Sequence, residues 1–299
     1  MELLMQPKTI YEGNIRITDV RAVPGDSAFL IDDGATAVLY DSGFAFTGRA
    51  VADNLRLVLG KRKLDYILLT HSHYDHVMAV PHILEVYSEA KVVAGEYTAE
   101  VFARPSARQA MCQLNKLAAG QRPPEPRAEE LKVDITVRDG EKIRCGEMVW
   151  TAIHLPGHTK CSFGYYLEAE KLLLSTETLG VYFGKDTYLP ATLVGYELTL
   201  ESFGKAREQK IEKILLPHYG IVEGQRARDY LKKAEAAAKE TAHTIMDMHF
   251  DGKTDLEIYE FLERRDYKDH VRPVYPQDAF RMNMELMIKL VIKETDNGR

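Results

Sequence analysis

The stretch LLTHSHYDHV, residues 68–77, places three histidines and an aspartate within six positions, directly after an apolar run. Imidazole suits Zn, Fe or Ni, and a carboxylate widens that choice to Mn. A structural zinc site normally closes with four ligands, often cysteines, whereas this group lacks thiolates and is too crowded for one such site. The spacing therefore favours a reactive metal site, with candidate ligands at His71, His73, Asp75 and His76.

Three further residues of ligand type follow apolar runs where strands are predicted to end. His158 lies in HLPGHTKCS after a Pro-Gly turn, Glu177 lies in LLLSTETLG, and His218 lies in ILLPHYG. Turn residues after an apolar run mark the point where a buried strand gives way to a loop. Residues of ligand type at several strand ends together are a specific signal for a metal site. A residue of this type at one strand end alone would not be specific.

The strands that must position these side chains are visible in the first part of the chain. Residues 28–43, AFLIDDGATAVLYDSG, predict two strands joined by Asp33-Gly34, a strong hairpin signal. Residues 64–70, LDYILLT, predict the buried strand that delivers His71. Similar strand patterns recur from about residue 131 to residue 175, before the last two candidate ligands.

The segment 182–197 is an aromatic loop that begins shortly after Glu177. We expect it to border the site, and it contributes the rings of Tyr182, Phe183, Tyr188 and Tyr196. Packing of any one of these rings against the C-terminal helices is at least an equal alternative, because large apolar rings dominate core contacts. If the helices cap the site, the substrate has an apolar or aromatic acyl group.

After residue 224 the sequence becomes helical. Apolar residues three or four apart form one stripe between Leu231 and Ile245, and TDLE (254–257) has the form of a capping box. A third helix carries Phe280, Met284, Met287 and Val291, and its methionines favour the core over the pocket wall. The chain is therefore predicted to divide into residues 1–222 and a helical segment, residues 223–299.

The composition excludes several classes of protein. The chain has 299 residues, 45% hydrophobic and 28% charged, with a net charge of −6, which is typical of a globular protein and gives no basic footprint for nucleic acid. We expect no membrane span, because no apolar run approaches about 18 residues. The three cysteines are scattered, which favours reduced thiols and a cytoplasmic location. A homodimer is left open.

The order of these motifs resembles the metallo-β-lactamase superfamily of binuclear metal hydrolases. The resemblance covers about residues 13–222 and rests on HSHYDH, PGHT, the acidic residue after LLLST, and PHYG. It implies an α/β fold, an αββα sandwich with the metal ions held in loops at one edge of the two sheets. The helical segment would be an added C-terminal cap.

The resemblance implies a ligand set for two divalent metal ions, zinc in the first place with iron or manganese as alternatives. One ion would be bound by His71, His73 and His158. The other would be bound by Asp75, His76 and His218, and Glu177 would bridge the two ions. Asp41, in LYDSG, would orient a ligand histidine from behind. Asp75 would also be the catalytic acid/base group.

Two positions depart from the family pattern. The bridging residue is usually Asp and is Glu177 here, whose longer side chain is expected to shift the bridge or the preferred metal. A glycine usually follows the last motif histidine, and Val77-Met78 stand there instead, which we expect to narrow the site. The ligand set itself stays complete.

A closer similarity covers nearly the whole chain. The segment from HSHYDHVMAV through the helix with QLNK to the tail RMNMELMIKLVIK is similar to the quinolone-signal thioesterase subgroup, in which C-terminal helices cap the metal site. This similarity implies a metal-dependent hydrolase of a small acyl compound, a thioester first, in which a hydroxide held by the ions attacks the acyl carbon.

Other functions remain as alternatives on the same residues. The site would also suit a lactone or a small phosphodiester, while the overall acidity disfavours a nuclease. The Glu177 bridge resembles that of di-iron members of the superfamily that activate oxygen, so an iron-loaded oxidoreductase is a further alternative. A regulatory protein whose binding role outweighs its catalysis is a fourth.

Overall fold

Two mixed β-sheets form the centre of the structure, a computed structural model that describes residues 4–120 and 122–297. The first sheet has seven strands, β1 to β7, at Lys8–Glu12, Arg16–Asp19, Phe29–Asp32, Ala37–Tyr40, Tyr66–Leu68, Lys91–Gly95 and Ile135–Val137. Its strands lie in chain order, antiparallel from β1 to β4 and parallel from β4 to β7. The hairpin predicted at Asp33-Gly34 is confirmed as the β3–β4 connection.

The second sheet is built from strands of the later part of the chain. In chain order the remaining strands, β8 to β15, are Lys142–Cys145, Met148–His154, Phe163–Leu167, Leu172–Leu174, Val181–Tyr182, Tyr188–Leu189, Lys213–Leu216 and Gly220–Glu223. The sheet order is β15-β14-β11-β10-β9-β8, and β12 pairs with β13 in a separate small hairpin. Apart from Val181, this hairpin lies within residues 182–197, which the sequence predicts only as a loop.

Helices cover the outer faces of both sheets and form the C-terminal end of the chain. In order, α1 to α9 are Gly48–Leu59, Tyr74–Val77, Val80–Leu84, Glu96–Ala103, Pro105–Ala119, Tyr196–Arg207, Gln225–Phe250, Asp255–Asp266 and Gln277–Asn297. None of the helices in the described part of the chain is long and apolar enough to cross a bilayer.

Strand β3 shows why the layers stack as they do. All four of its residues are buried, because successive side chains point to opposite faces and both faces of the sheet are covered. Leu30 packs towards α1 and α3, while Phe29 and Ile31 pack between the sheets with Trp150 of β9. Helix α6 and the first half of α7 cover the other sheet. The predicted αββα sandwich is confirmed.

The last helices form a separate layer with its own apolar core. The second half of α7 packs with α8 and α9 around Ile245, Leu262, Phe280 and Met284. The predicted capping box is confirmed, since Thr254 and Glu257 bond reciprocally at the start of α8. Met284 and Met287 lie in this core, 2% exposed, as the sequence favours. The outer limits of the predicted division, residues 1 and 299, lie outside the described residues, and the division stays a prediction.

Sheet topology brings the candidate ligands to one edge. Strands β4 and β5 are parallel, so the residues that follow them, Asp41 and Thr70-His71, emerge side by side. In the second sheet β10 is antiparallel to both β9 and β11, and β11 is parallel to β14. The carboxyl ends of β9, β11 and β14 therefore also share one edge, and these ends lead to His158, Glu177 and His218.

Candidate metal centre

The first of two ligand groups is a cluster of three imidazoles. His71, His73 and His158 each offer a ring nitrogen, and these nitrogens lie within 4.8 Å of one another. Nε2 of His158 is 2.9 Å from Nδ1 of His73. Nε2 of His71 is buried and has no hydrogen-bond partner among the described residues. A buried nitrogen without a partner is costly, so this cluster suits a cation that accepts its lone pairs.

The second group combines a carboxylate with two imidazoles. Nε2 of His76 lies 3.7 Å from Oδ2 of Asp75, and Nε2 of His218 lies 3.8 Å from the same oxygen. Short helix α2 carries both Asp75 and His76, while His218 comes from the turn between β14 and β15. This mixed nitrogen and oxygen set suits the same divalent ions.

Glu177 lies between the two groups. One of its carboxylate oxygens is 2.9 Å from Nε2 of His76 and 3.1 Å from Nε2 of His218. The other oxygen is 3.6 Å from Nδ1 of His71. The two oxygens thus face different groups, as a bridging carboxylate must, and the longer side chain of Glu reaches both.

Hydrogen bonds behind the imidazoles set which ring nitrogen faces the centre. Nδ1 of His76 lies 2.7 Å from Oδ2 of Asp41, Nδ1 of His158 lies 2.9 Å from the Ala191 carbonyl oxygen, and Nδ1 of His218 lies 2.8 Å from the Gly25 carbonyl oxygen. Each Nδ1 donates to an oxygen, which leaves Nε2 as a lone pair for a metal ion. The role that the resemblance implies for Asp41 fits this contact.

Asp41 is itself held in place from several directions. It is fully buried and accepts hydrogen bonds from the Thr70 backbone N–H at 2.9 Å and from the Ser27 hydroxyl at 3.0 Å. Its backbone φ of 53° lies in the left-handed region, which Asp and Asn tolerate better than most residues. Thr70 also places its hydroxyl 2.9 Å from Nδ1 of His71, a contact that the sequence does not reveal.

Burial keeps the first group neutral. Desolvation lowers the pKa of His71, and the neighbouring His76 lowers it further. Desolvation, together with His158, lowers the pKa of His73 to about 3. The pKa of His158 is lowered for the same first reason. Neutral imidazole is the form that binds metal.

The second group holds opposite charges close together. Burial by itself would lower the pKa of His76, but the carboxylates of Glu177, Asp41 and Asp75 outweigh it and hold that pKa well above its usual value. Burial would raise the pKa of Glu177, yet His76 and His71 hold it well below its usual range. The raised pKa favours the protonated form of His76 in the absence of metal, and a bound metal cation would balance the same carboxylate charges.

A cavity of about 530 Å³ opens above this centre. Its floor is formed by ligand side chains: His73, Asp75, His76, His158, Glu177 and His218. Its walls and roof are mainly apolar, and the roof comes from residues 273–286, which lead into α9 and form its first turns, including Tyr275, Met282 and Leu286. The first turns of α9 and the residues just before it therefore cover this cavity.

A second, more open groove reaches the centre from another side. It is lined by Ser72, Tyr97, Lys160 and Cys161, among others, and it shares His73 and His158 with the capped cavity. Leu193 and Leu286 also line both spaces and stand between them. The first ligand group is thus accessible from two directions.

The aromatic loop is divided between the two expected roles. Phe183 lines the cavity and stacks on Tyr275, with ring centroids 5.9 Å apart. Tyr182 and Tyr188 instead pack on Tyr230 of α7. Tyr196 packs with the C-terminal core.

The expectation that Val77-Met78 narrows the site is wrong. Both side chains are fully buried in the core under sheet one, and neither lines the cavity. Helix α2 turns them away from the centre while Asp75 and His76 face it, because neighbouring helical residues point in different directions.

The matches with known proteins agree with this geometry. The model of the metallo-β-lactamase superfamily matches residues 23–218, and the chain belongs to that superfamily. A metallo-β-lactamase fold-containing protein of Sulfurisphaera tokodaii is 27% identical over 180 residues, 57% of this chain and 66% of that protein. A hydroxyacylglutathione hydrolase of Methylobacterium nodulans is 32% identical over 117 residues, 39% of this chain and 34% of that enzyme. The chain thus spans less than two thirds of these curated relatives.

The similarity to solved structures extends over the whole fold. A metallo-β-lactamase family protein of Thermus thermophilus has a TM-score of 0.61 at 19% identity, covering 99% of this chain and 95% of that one. The superfamily includes metal-dependent hydrolases. At this identity the match shows the fold, which includes the C-terminal helices.

Proposed function

We propose that this protein is a binuclear metal-dependent hydrolase of small acyl compounds, with thioesters as its main substrates. The observation that supports this best is the arrangement of ligand side chains in two groups on either side of Glu177. When bound there, two divalent cations such as zinc would supply a water nucleophile near neutral pH and polarise the acyl oxygen.

The side chains of this chain have separate tasks in that reaction. Asp41 and the Ala191 and Gly25 carbonyls hold three imidazoles in one orientation, so the centre needs little rearrangement during turnover. Asp75 lines the cavity and is the most exposed of the carboxylates in the cluster, with its side chain 23% exposed. Its carboxylate oxygen would accept the proton of the attacking water.

The two spaces around the centre support a substrate with two unlike halves. The capped cavity would bind an apolar or aromatic acyl group, because its roof and walls are mainly carbon. The open groove, with Lys160 among its lining residues, would bind the leaving group. The bond that is cleaved would lie at His73 and His158, where the two spaces meet.

A thioester suits this centre better than an amide does. A thiolate leaves readily without a proton donor, whereas an amine needs one. The similarity to a hydroxyacylglutathione hydrolase, whose named substrate is a thioester, supports the same choice. The cap of C-terminal helices supports the resemblance to the quinolone-signal thioesterase subgroup, and membership of that subgroup is part of this proposal.

The test is a substrate panel with three separately loaded metals. Aryl and acyl thioesters, lactones and phosphodiesters are assayed with the zinc, manganese and iron forms, and we expect thioesters to have the highest kcat/KM. Preferred cleavage of a phosphodiester or lactone would overturn the thioester assignment. Because Glu177 faces both groups, the iron form also tests the oxidoreductase alternative: an iron–oxo absorption band with oxygen consumption would replace hydrolysis as the function.

A further inference from the structure

The apolar roof of the cavity contains one polar pair. Tyr275 and Asn283 both line the cavity, and the side-chain amide of Asn283 donates a hydrogen bond to the Tyr275 hydroxyl oxygen. Arg122, which also lines the cavity, lies with its guanidinium 4.1 Å from the centroid of the Phe46 ring and donates to the Ala118 carbonyl at 2.7 Å. The pair therefore stands in largely apolar surroundings, on the element that covers the metal centre.

The pair has unused hydrogen-bonding capacity. The Tyr275 oxygen accepts from Asn283, so its own O–H is free to donate, and the amide oxygen of Asn283 is free to accept. Within residues 4–120 and 122–297 neither of these groups has a partner. A donor and an acceptor held side by side in apolar surroundings match a ligand group that offers the reverse pair, such as a hydroxyl.

The position of Tyr275 is fixed from several sides. Its ring stacks on Phe183 at an interplanar angle of 9° and meets Phe280 edge-on at 79°. Its carbonyl accepts a hydrogen bond of 2.8 Å from the Tyr267 hydroxyl. Phenylalanine would make the same ring contacts, so packing alone does not require the hydroxyl. A rigid polar group is what a binding site needs for selectivity.

The phenol stays a donor at neutral pH. Burial raises the pKa of Tyr275, the hydrogen bond from Asn283 offsets a part of the rise, and the carboxylates of Asp75 and Glu177 add to it. Asp75 and Glu177 also line the same cavity as Tyr275, so the phenol and the candidate metal centre face one enclosed space. A substrate whose scissile bond lies at the centre would therefore bring its acyl group near Tyr275.

We propose that Tyr275 and Asn283 form a polar subsite in the capped cavity that selects acyl groups carrying a hydroxyl close to the scissile carbonyl. The subsite rests on the proposed function, since it names the kind of acyl group that the hydrolase prefers. The Tyr275 O–H donates a hydrogen bond to the oxygen of the substrate hydroxyl, and the amide oxygen of Asn283 accepts a hydrogen bond from that hydroxyl. An acyl chain without such a group leaves both partners unsatisfied.

The test compares matched substrates on the zinc-loaded protein. Butanoyl and hexanoyl thioesters of one thiol are assayed beside their 3-hydroxy counterparts. We expect the wild type to favour the hydroxylated member by about 10-fold or more in kcat/KM, because unpaired polar groups in a site penalise the plain chain. Y275F and N283L should each reduce this ratio to near one. Tyr259→Phe, a tyrosine of α8 whose hydroxyl bonds Glu263 outside the cavity, is the matched control and should keep the ratio.

A binding measurement separates this inference from the proposed function. Calorimetry with the zinc form compares 3-hydroxyhexanoate with hexanoate, which need no turnover. If no acyl compound is cleaved but the wild type binds the hydroxy acid more tightly and Y275F and N283L do not, the hydrolase assignment fails and the subsite stands. If both variants keep the wild-type preference, or the wild type has none, the subsite is wrong. Because Y275F and N283L change different side chains, the test still stands if one of the two variants fails to fold.

Discussion

The floor and the roof of the cavity differ in how they are held. On the floor, His76 is 1%, Glu177 4% and His158 5% exposed, and side-chain and backbone hydrogen bonds fix the imidazole rings. On the roof, Met282 is 40% and Leu286 47% exposed, and they face the cavity from a helix held by apolar packing on its other side. A substitution on the floor removes a metal-ligand side chain or a hydrogen bond that orients one. A substitution of an exposed roof residue leaves the apolar contacts that hold the helix in place. We infer that the floor determines the reaction and the roof determines the substrate.

The largest effect is expected from breaking the floor. The double variant H73A/D75A removes one ligand from each group and should lower kcat/KM by about 1,000-fold or more, because metal-assisted water activation is lost. Assays with metal analysis on the same preparation check this. His243→Ala changes an exposed histidine of α7 and should retain metal and activity. Near-normal turnover of the double variant would show that the reaction does not occur at this centre.

The next effect concerns the support behind the floor. Asp41→Asn keeps the size and the tolerance of the left-handed backbone but weakens the hold on Nδ1 of His76. We expect metal affinity to fall by about 10- to 100-fold. Competition with a chelator of known affinity measures it. Unchanged affinity would mean that Asp41 serves the fold alone.

A smaller effect is expected on the roof. Leu286→Ala removes apolar contact worth about 1 kcal/mol, so KM for an apolar acyl thioester should rise about 5-fold with little change in kcat. Leu256→Ala is the matched control, since Leu256 is a similarly exposed leucine that does not line the cavity. A fall in kcat with KM unchanged would contradict the division of roles between roof and floor.

The smallest effect is the number of protons that the floor releases when metal binds. Because the pKa of His76 is raised and that of Glu177 is lowered, the metal-free centre holds a proton on His76 at pH 7. Metal binding must displace it, so we expect about one proton to be released per centre, and less as pH rises through the pKa of His76. Calorimetry in buffers of different ionisation enthalpy counts the protons. Release of none at pH 7 would show that His76 is neutral before metal binds.

The same contrast separates what the sequence predicts from what it does not. The Asp33-Gly34 hairpin and the TDLE capping box are both confirmed. Both could be predicted because the hydrogen bonds and turn that define each of them involve only a few neighbouring residues. The floor is also visible in the sequence, since HSHYDH places much of the ligand set in one turn and the other ligands follow apolar strands. The roles of the individual ligands stay predictions.

The roof has no such signal. Tyr275 and Asn283 become partners of the site because α9 folds back over the sheet edge, and no local pattern encodes that approach. Val77 shows the same limit, because whether it faces the cavity or the core depends on the direction in which α2 leaves the loop. Packing between distant elements decides both cases.

The proposed function requires that two cations bind, one on each side of Glu177. Crystals of the zinc-loaded protein, measured above and below the zinc absorption edge, test it most directly. We expect two anomalous peaks about 3.5–4 Å apart, one at His71, His73 and His158 and the other at Asp75, His76 and His218. A single peak, or peaks away from these side chains, would contradict it.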